Sequence, residues 1–199
     1  MQGRICDWVN SLLKVTREKI IVFDVETTGL PNYCENKSTA GHEILQLAMI
    51  DGTGKVLINK LFKPVRKKAW PEAQELHGIA PEDVRDKPVI EEYKNEIQKI
   101  VDNAGLLVAY NLKFDMLFLR DAGISFSGKH YYDVMLEYGR IKSIRNKRKR
   151  YGESAPYMPL RKCAAYFGYE FTDAHDAEAD ARATLYCFLK LQDRSLKNV

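Results

Sequence analysis

The sequence predicts an α/β domain whose mixed central sheet contains an antiparallel meander and is flanked by helices. Three patterns lead to this fold class: an apolar run at Ile20–Val25, two further strands separated by a tight turn, and shorter strands that then alternate with helical segments. Strands in succession followed by alternating strands and helices are typical of α/β domains. With 199 residues, 45% of them hydrophobic, the chain can form one sizeable core, so we expect a single domain.

The first strand is the segment around which the others are arranged. Because side chains alternate along a strand, Ile20, Val22, Asp24 and Glu26 share one face, and the residues between them share the other. Both faces begin with apolar residues, which favours a central strand over an edge strand. Asp24 and Glu26 then point the same way at the end of a buried strand. A strand end that emerges into water beside a turn would also explain them.

The meander continues with two predicted strands, Glu43–Ile50 and Val56–Phe62. The turn Asp51–Gly54 between them has the glycines and polar residues of a hairpin. The segment Pro31–Gly41, which precedes these strands, is polar and turn-rich, so we predict a loop there.

The second half of the chain alternates extended and helical patterns, and most of its helices have a proline or glycine at a boundary. The predicted strands are Gly105–Ala109 and Tyr131–Val134, and the predicted helices are Pro71–His77, a helix opened by Pro88, Leu112–Ala122, a helix that starts near Val134, Leu160–Phe167 and Asp176–Leu191.

The two ends of the chain are predicted to lie outside the core of the domain. Apolar residues at helical spacing predict an amphipathic N-terminal helix over residues 1–17: Ile5, Trp8, Val9, Leu12 and Leu13. It either packs on the domain or binds a partner. We therefore expect the core of the domain over residues 18–192 and a tail over residues 193–199.

Composition excludes several classes of protein. No apolar run is long enough for a transmembrane helix, and the N-terminus lacks the apolar region of a signal peptide, so we expect no membrane association. The four cysteines lie at positions 6, 34, 163 and 187, without the paired spacing of a zinc knuckle or a disulfide framework. A reducing cytoplasm is the compartment that fits this usage.

The positive charge of the chain is concentrated in one tract, Arg140–Arg150. It contains seven basic residues and no acidic residue, and without them the chain would carry more acidic than basic side chains. The tract is either a solvated loop or a contact for several phosphates that would make nucleic-acid binding strongly salt-dependent.

An aspartate occupies an apolar stripe in the predicted helix Leu112–Ala122. On a helical wheel, Leu112, Phe118, Leu119 and Ala122 lie within about 60° of Asp115. Aspartate is almost never fully buried unless it is paired. Asp115 is therefore either a functional carboxylate or a buried side chain bonded to backbone.

The last helix repeats this arrangement. Ala177, Ala181, Thr184 and Phe188 define its inward face, and Asp180 lies at the edge of that face. Asp180 lies too far into the helix to be its N-cap residue.

The residues before this helix supply its cap. Asp173 or Asp176 fits the N-cap position. His175 lies beside them, and it could be a catalytic base or merely a capping or surface residue.

Asp24, Glu26, Asp115 and Asp180 thus face inward from three elements. If they converge at 4–5 Å, each pair would repel by about 3–4 kcal/mol at an effective dielectric constant of about 20. Protons or multivalent cations must then neutralise the cluster. Oxygen ligands select hard ions, so we expect two divalent cations, Mg²⁺ or Mn²⁺, which are typical of phosphoryl transfer.

Three segments together resemble the motifs of the DEDDh family of 3′–5′ exonucleases, which includes the proofreading epsilon subunit of bacterial DNA polymerase III. They are FDVETTGL at 23–30, VAYNLKFD at 108–115 and HDAEADA at 175–181. The segment HGIAPEDV at 77–84 and the predicted helix before Gly168 also resemble this family. The three motifs in this order are a specific signal. The resemblance covers roughly residues 19–191 and implies a ribonuclease H-like fold.

The resemblance also implies roles for individual residues. Asp24, Glu26, Asp115 and Asp180 would bind the two metals, and His175 would be the general base. The terminal nucleotide at a single-stranded or frayed 3′ end would be held by residues of a substrate pocket: Thr27, Leu30, His77, Asn111 and Phe114. Tyr110 departs from the histidine that many relatives have, and Pro31–Gly41 is an insert next to the site that acts as a lid or is simply tolerated.

The expected function is therefore a metal-dependent 3′–5′ exonuclease that releases nucleoside 5′-monophosphates, with DNA favoured as substrate and a DNA polymerase subunit as a candidate partner. Two alternatives stay open at this point. One is an exoribonuclease with the same chemistry. Contacts to the 2′-hydroxyl distinguish RNA from DNA, and no residue of the sequence shows whether the site accepts or excludes that group. The other is a non-catalytic module that binds nucleic acid beside a polymerase.

Overall fold

A computed structural model describes residues 15–32, 38–145, 157–171 and 175–197 of the chain. Nearly all of the predicted N-terminal helix lies outside these ranges, as do the centre of the insert (33–37) and the end of the basic tract (146–150). Within the described residues, no helix combines the length and the apolar character needed to cross a membrane.

The described residues form a five-stranded mixed sheet, which confirms the predicted fold class. Its strands, in the order in which they occur in the chain, are β1 (Ile20–Thr27), β2 (Ile44–Asp51), β3 (Val56–Leu61), β4 (Leu106–Ala109) and β5 (Tyr131–Asp133). The order across the sheet is β3-β2-β1-β4-β5. β1 is antiparallel to β2 and parallel to β4, and β5 is parallel to β4. The prediction that the first strand is central is therefore confirmed.

Helices cover both faces of this sheet. They are α1 (Pro71–His77), α2 (Pro81–Val84), α3 (Lys94–Asn103), α4 (Leu112–Asp121), α5 (Val134–Arg145), α6 (Leu160–Phe167) and α7 (Ala177–Lys197), with short 3₁₀ turns at Arg17–Lys19 and Ile90–Tyr93.

The helices differ from the prediction at three places. The helix that we expected Pro88 to open begins only at Lys94, after the 3₁₀ turn Ile90–Tyr93. The last helix does not end near Leu191 but continues to Lys197, through most of the segment that we expected to be a tail. The helix α2 was not predicted, because four residues are too few to show a periodic pattern. Its N-terminus is closed by the carboxylate of Asp83, which accepts a hydrogen bond of 2.8 Å from the N–H of Ala80.

The alternation of β1 divides the core into two layers. Ile20 and Val22 pack in a cluster with residues of α5, α6 and α7. Ile21, Phe23 and Val25 pack in a second cluster with residues of α3 and α4. Because both faces are covered, β1 and β2 are buried along almost their whole length.

A buried glutamine fastens the start of α7 to the sheet. The side chain of Gln46 on β2 is 6% exposed. Its Nε2 donates to Asp176 Oδ2 at 2.9 Å, and its Oε1 accepts from the N–H of Ala177 at 3.2 Å. Gln46 also lies opposite Glu26 in the β1–β2 register. This link therefore fixes the N-terminus of α7 beside the acidic end of β1.

The substitution Gln46→Leu should lower the free energy of unfolding by about 1–3 kcal/mol, because it leaves the half-buried carboxylate of Asp176 and the buried N–H of Ala177 without this partner. Urea denaturation followed by circular dichroism measures this change. Asn59→Ala is the matched control, since exposed Asn59 accepts a bond from the same Gln46 amide. Equal losses in the two variants would contradict the prediction.

Candidate active site

The predicted site residues meet in a cleft at the carboxyl ends of the parallel strands β1 and β4. Open α/β sheets bind ligands at this edge, where the strand order changes direction. The cleft has a volume of about 1130 Å³. Every residue that we predicted to be catalytic, metal-binding or substrate-binding lines it: Asp24, Glu26, Thr27, Leu30, His77, Asn111, Phe114, Asp115, His175 and Asp180.

Three elements bring the acidic side chains together. Asp24 and Glu26 come from β1, Asp115 from the first turn of α4 and Asp180 from the first turn of α7. Among the described residues, Glu26, His175 and Asp180 form a group that could hold a metal ion, because one ligand atom of each lies within 4.8 Å of the others.

The acidic side chains strongly perturb one another. Burial raises the pKa of Asp24 well above its usual value, and neighbouring carboxylates, Asp115 foremost, raise it further. Burial and then repulsion from Asp180 raise the pKa of Glu26 to about 9. Burial raises the pKa of Asp180 to about 6. The four carboxylates can therefore all be ionised only if cations neutralise their charge; otherwise some of them hold protons.

Two buried carboxylate oxygen atoms of the cluster have no hydrogen-bond partner within the described ranges. Asp115 is only 2% exposed, and its Oδ1 accepts a hydrogen bond of 3.2 Å from the N–H of Val25. Its Oδ2 and the Oδ1 of Asp180 are buried without a hydrogen-bond partner among the described residues. Buried acceptors of this kind are costly when unsatisfied, and bound cations would satisfy them. The donor set thus fits hard divalent metal ions.

His175 stands beside this cluster at the entrance to α7. It is exposed and has a positive φ of 70°, an uncommon conformation for a residue other than glycine. It does not cap the helix. Asp176 does so, because its Oδ1 accepts 3.0 Å hydrogen bonds from the N–H groups of Glu178 and Ala179. The other predicted cap, Asp173, lies outside the described residues.

The start of α4 depends on an aspartate that the sequence analysis did not single out. Asp133 Oδ2 accepts a 3.1 Å hydrogen bond from the N–H of Leu112, and its Oδ1 accepts a 3.0 Å bond from the N–H of Leu136. Asp133 therefore caps α4 and α5 together. Its place between a strand and a helix was a signal for the second cap. The first cap depends on the pairing of β4 with β5, which the sequence does not reveal.

The predicted substrate residues have specific partners within the protein. His77 donates through Nε2 to the carbonyl of Thr27 at 3.1 Å, and its Nδ1 accepts from the N–H of Ile79 at 3.1 Å. Burial lowers the pKa of His77, and the nearby His175 adds to this effect. Both ring nitrogens are thus engaged, so a substrate contact by His77 would use the face or edge of the ring.

A glycine shapes the turn that presents Leu30 to the cleft. A Cβ atom at Gly29 would lie 2.4 Å from Cε1 of His42, so the imidazole leaves no room for a side chain there. The ring of His42 also contacts Thr28 Oγ1 at 3.2 Å. Leu30 follows this turn and is 77% exposed.

Other cleft residues were not predicted from the sequence. They include Glu72, Leu76, Lys113, Tyr157, Arg161 and Phe171. All of them except Lys113 lie outside the three acidic motifs, so their spacing gives no signal. Helix α1, the start of α4 and the segment around α6 bring them to the cleft.

Comparison with protein families finds the RNase_T model, described as Exonuclease, which matches residues 21–188. Among curated relatives, the PolC-type DNA polymerase III of Staphylococcus saprophyticus is 31% identical over 177 residues, which is 86% of this chain and 11% of that protein. The DNA polymerase III subunit epsilon of Rickettsia typhi is 34% identical over 103 residues, which is 50% of this chain and 42% of that protein. The chain thus spans less than half the length of either relative.

Solved structures support the same fold. A zinc-bound complex of E. coli ExoI with ssDNA superposes with a TM-score of 0.69 at 20% identity, covering 90% of this chain and 41% of that chain. Exonuclease X in complex with 5′ overhanging duplex DNA gives a TM-score of 0.60 at 21% identity, covering 88% of this chain and 92% of that chain. The fold and the family match over residues 21–188 agree: this chain belongs to the Exonuclease (RNase_T) family.

Proposed function

We propose that the protein is a metal-dependent 3′–5′ exonuclease that releases nucleoside 5′-monophosphates from nucleic acid. The observation that carries the proposal is the convergence of four carboxylates from β1, α4 and α7. Two of them have buried oxygen atoms without a hydrogen-bond partner in the part of the chain that the structure describes. A binding module without chemistry has no need to bury acidic groups that repel one another.

In this proposal, four acidic residues bind the metal ions. Asp24, Glu26, Asp115 and Asp180 would hold two divalent cations, and their oxygen atoms favour Mg²⁺ or Mn²⁺. When bound, such ions supply the positive charge that favours deprotonated water and stabilises the leaving oxygen in phosphoryl transfer.

The remaining residues position the reactants. His175 is exposed to the cleft beside Glu26 and Asp180, where an imidazole can accept a proton from the attacking water as general base. Thr27 and Leu30 would hold the terminal nucleotide of a single-stranded or frayed 3′ end, with His77, Asn111 and Phe114 as further contacts of the pocket.

We favour DNA as the substrate and a DNA polymerase subunit as a partner, because the curated relatives are named as DNA polymerase III proteins. The family description itself names only an exonuclease, so RNA is the alternative substrate. We further propose a cytoplasmic location, since the cysteines show no disulfide spacing and the two described ones, Cys163 and Cys187, are free and buried.

The central test incubates 5′-labelled and 3′-labelled single strands of matched DNA and RNA with Mn²⁺. We expect a ladder from the 5′-labelled strand and immediate release of labelled mononucleotide from the 3′-labelled strand. EDTA should abolish both. Asp24→Asn should lower the rate by more than the 10²–10⁴-fold typical of losing a general base, because it disturbs metal binding.

Asp86→Asn is the matched control for this substitution, because Asp86 is an exposed aspartate that does not line the cleft. It should keep wild-type activity. Binding of both nucleic acids without any hydrolysis in excess Mn²⁺ would instead support the non-catalytic alternative. The ratio of the DNA and RNA rates decides between the two substrates.

His175→Ala should lower kcat by about 10²–10⁴-fold while Mn²⁺ still binds, because a general base transfers a proton and does not hold the metal. Calorimetric titration with Mn²⁺ measures whether the variant still binds the metal. Since a ring nitrogen of His175 lies within 4.8 Å of the ligand atoms of Glu26 and Asp180, a ligand role is the competing outcome. Loss of Mn²⁺ binding in this variant would show that competing role.

Mn²⁺ should raise the melting temperature of the protein. This increase should become larger from about pH 5 to about pH 8, because the folded cluster binds protons more tightly than the unfolded chain does and loses them over this range. The pKa of Glu26 rises from 4.5 to about 9 on folding, so the metal-free protein loses stability as the pH rises through this window. Differential scanning fluorimetry with Mn²⁺ or EDTA measures the difference.

Asp86→Asn again serves as the control, and it should show the wild-type dependence on pH and metal. The double substitution Asp24→Asn and Asp180→Asn should flatten that dependence, because it removes two of the repelling charges. Identical melting curves with Mn²⁺ and EDTA at every pH would contradict the proposed metal site.

A further inference from the structure

Large apolar side chains are exposed in the cleft well beyond the acidic cluster. Among the described residues, six large hydrophobic side chains are exposed, and three of these line this one cleft: Leu30 at 77%, Leu76 at 57% and Tyr157 at 72%. Exposed apolar groups that gather in one concave surface usually mark a binding site. The proposed function assigns Leu30 to the terminal nucleotide, but it leaves Tyr157 without a role.

The backbone next to Tyr157 is firmly held. The hydroxyl of Tyr110 donates to the carbonyl of Met158 at 2.5 Å. Pro159 forms the N-cap of α6, and its carbonyl accepts from the N–H of Lys162 at 3.0 Å. The helix itself is anchored by Cys163, which is fully buried in the core. The ring of Tyr157 is therefore exposed beside backbone that these contacts hold on its C-terminal side, and no hydrogen bond or ring contact to it is seen among the described residues.

A cation lies on the same side of the cleft. Arg161 is the second residue of α6, is exposed and lines the cleft. Among the described residues, no carboxylate lies within ion-pair distance of its guanidinium, whereas five other arginine–carboxylate pairs form. A guanidinium that no described carboxylate pairs with can bind a phosphate oxygen. It also offsets the negative charge of the acidic cluster for an approaching polyanion.

We propose that Tyr157 and Arg161 form a nucleotide subsite, in which a nucleobase stacks on the Tyr157 ring and a backbone phosphate pairs with Arg161. This inference rests on the proposed function and adds a second contact to the strand beyond its terminal nucleotide. Stacking on an aromatic ring tolerates any base, because every base has a π-face. It requires that the base be unpaired, so the subsite selects single-stranded or frayed ends.

The first experiment tests stacking with oligodeoxynucleotides that carry 2-aminopurine at one of the last four positions. Binding is measured with Ca²⁺, and gel analysis verifies that the strands stay intact. In the wild-type protein, 2-aminopurine emission should be quenched at an internal position. Tyr157→Ala should remove this quenching and weaken binding roughly 5- to 150-fold. Tyr157→Phe should behave as wild type, because it keeps the ring.

Leu136→Ala is the matched control, because Leu136 is 44% exposed and does not line the cleft. It should change neither the emission nor the affinity. With Mn²⁺, Tyr157→Ala should raise KM by a similar factor and leave kcat unchanged, because the lost contact binds substrate and transition state equally. An affinity and emission for Tyr157→Ala equal to those for Leu136→Ala would overturn the stacking role.

The second experiment tests the phosphate contact through its dependence on salt. Arg161→Ala should reduce the slope of log Kd against log salt concentration by about 0.7, the value for one phosphate of a single strand. Lys99→Ala is the control, since Lys99 is exposed on α3 away from the cleft. An unchanged slope for Arg161→Ala would remove this residue from the subsite.

These outcomes are distinct from failure of the proposed function. If the wild-type protein hydrolyses strands but Tyr157→Ala binds them normally, only the subsite is wrong. If the wild-type protein neither binds nor hydrolyses them, the proposed function itself is wrong.

Discussion

Electrostatic repulsion among buried carboxylates is the constraint on which this structure depends. Asp24 and Glu26 lie near the end of the central strand β1, and α4 and α7 add Asp115 and Asp180 to the same cleft. Burial raises the pKa of each of these groups, and repulsion from neighbouring carboxylates raises it further. The fold must therefore hold the cluster together against its own charge until cations or protons neutralise it.

Hydrogen bonds at the ends of helices provide this restraint. Asp133 accepts from the backbone at the starts of α4 and α5, so the strand β5 fixes the helix that carries Asp115. Gln46 and Asp176 do the same for α7, which carries Asp180 and follows His175. Each acidic side chain thus comes from an element whose end is tied to the sheet. Rigid support of this kind is what a site needs in order to keep reactive groups in place.

The outer part of the cleft has a different character from its acidic floor. Leu30, Leu76 and Tyr157 expose apolar surface there, and Arg161 adds positive charge. An acidic floor alone would repel a polyanionic strand, whereas this rim can bind bases and phosphates. Family membership covers the fold and the residues of the three motifs. Apart from Leu30, the rim lies on segments outside those motifs.

The sequence alone determined the central strand, the meander and the burial of Asp115, because alternation and helical periodicity report which face of an element is apolar. The same reasoning placed Ala177, Ala181, Thr184 and Phe188 on the buried face of α7, as the structure confirms. Sequence could not give the distances among the carboxylates, the shared capping by Asp133, the link from Gln46 to α7 or the position of Tyr157 in the cleft. These features join residues far apart in the chain, from 21 positions for Leu112 and Asp133 to 156 for Asp24 and Asp180, or lie outside any repeating pattern. Only the packing of the helices on the two faces of the sheet brings them together.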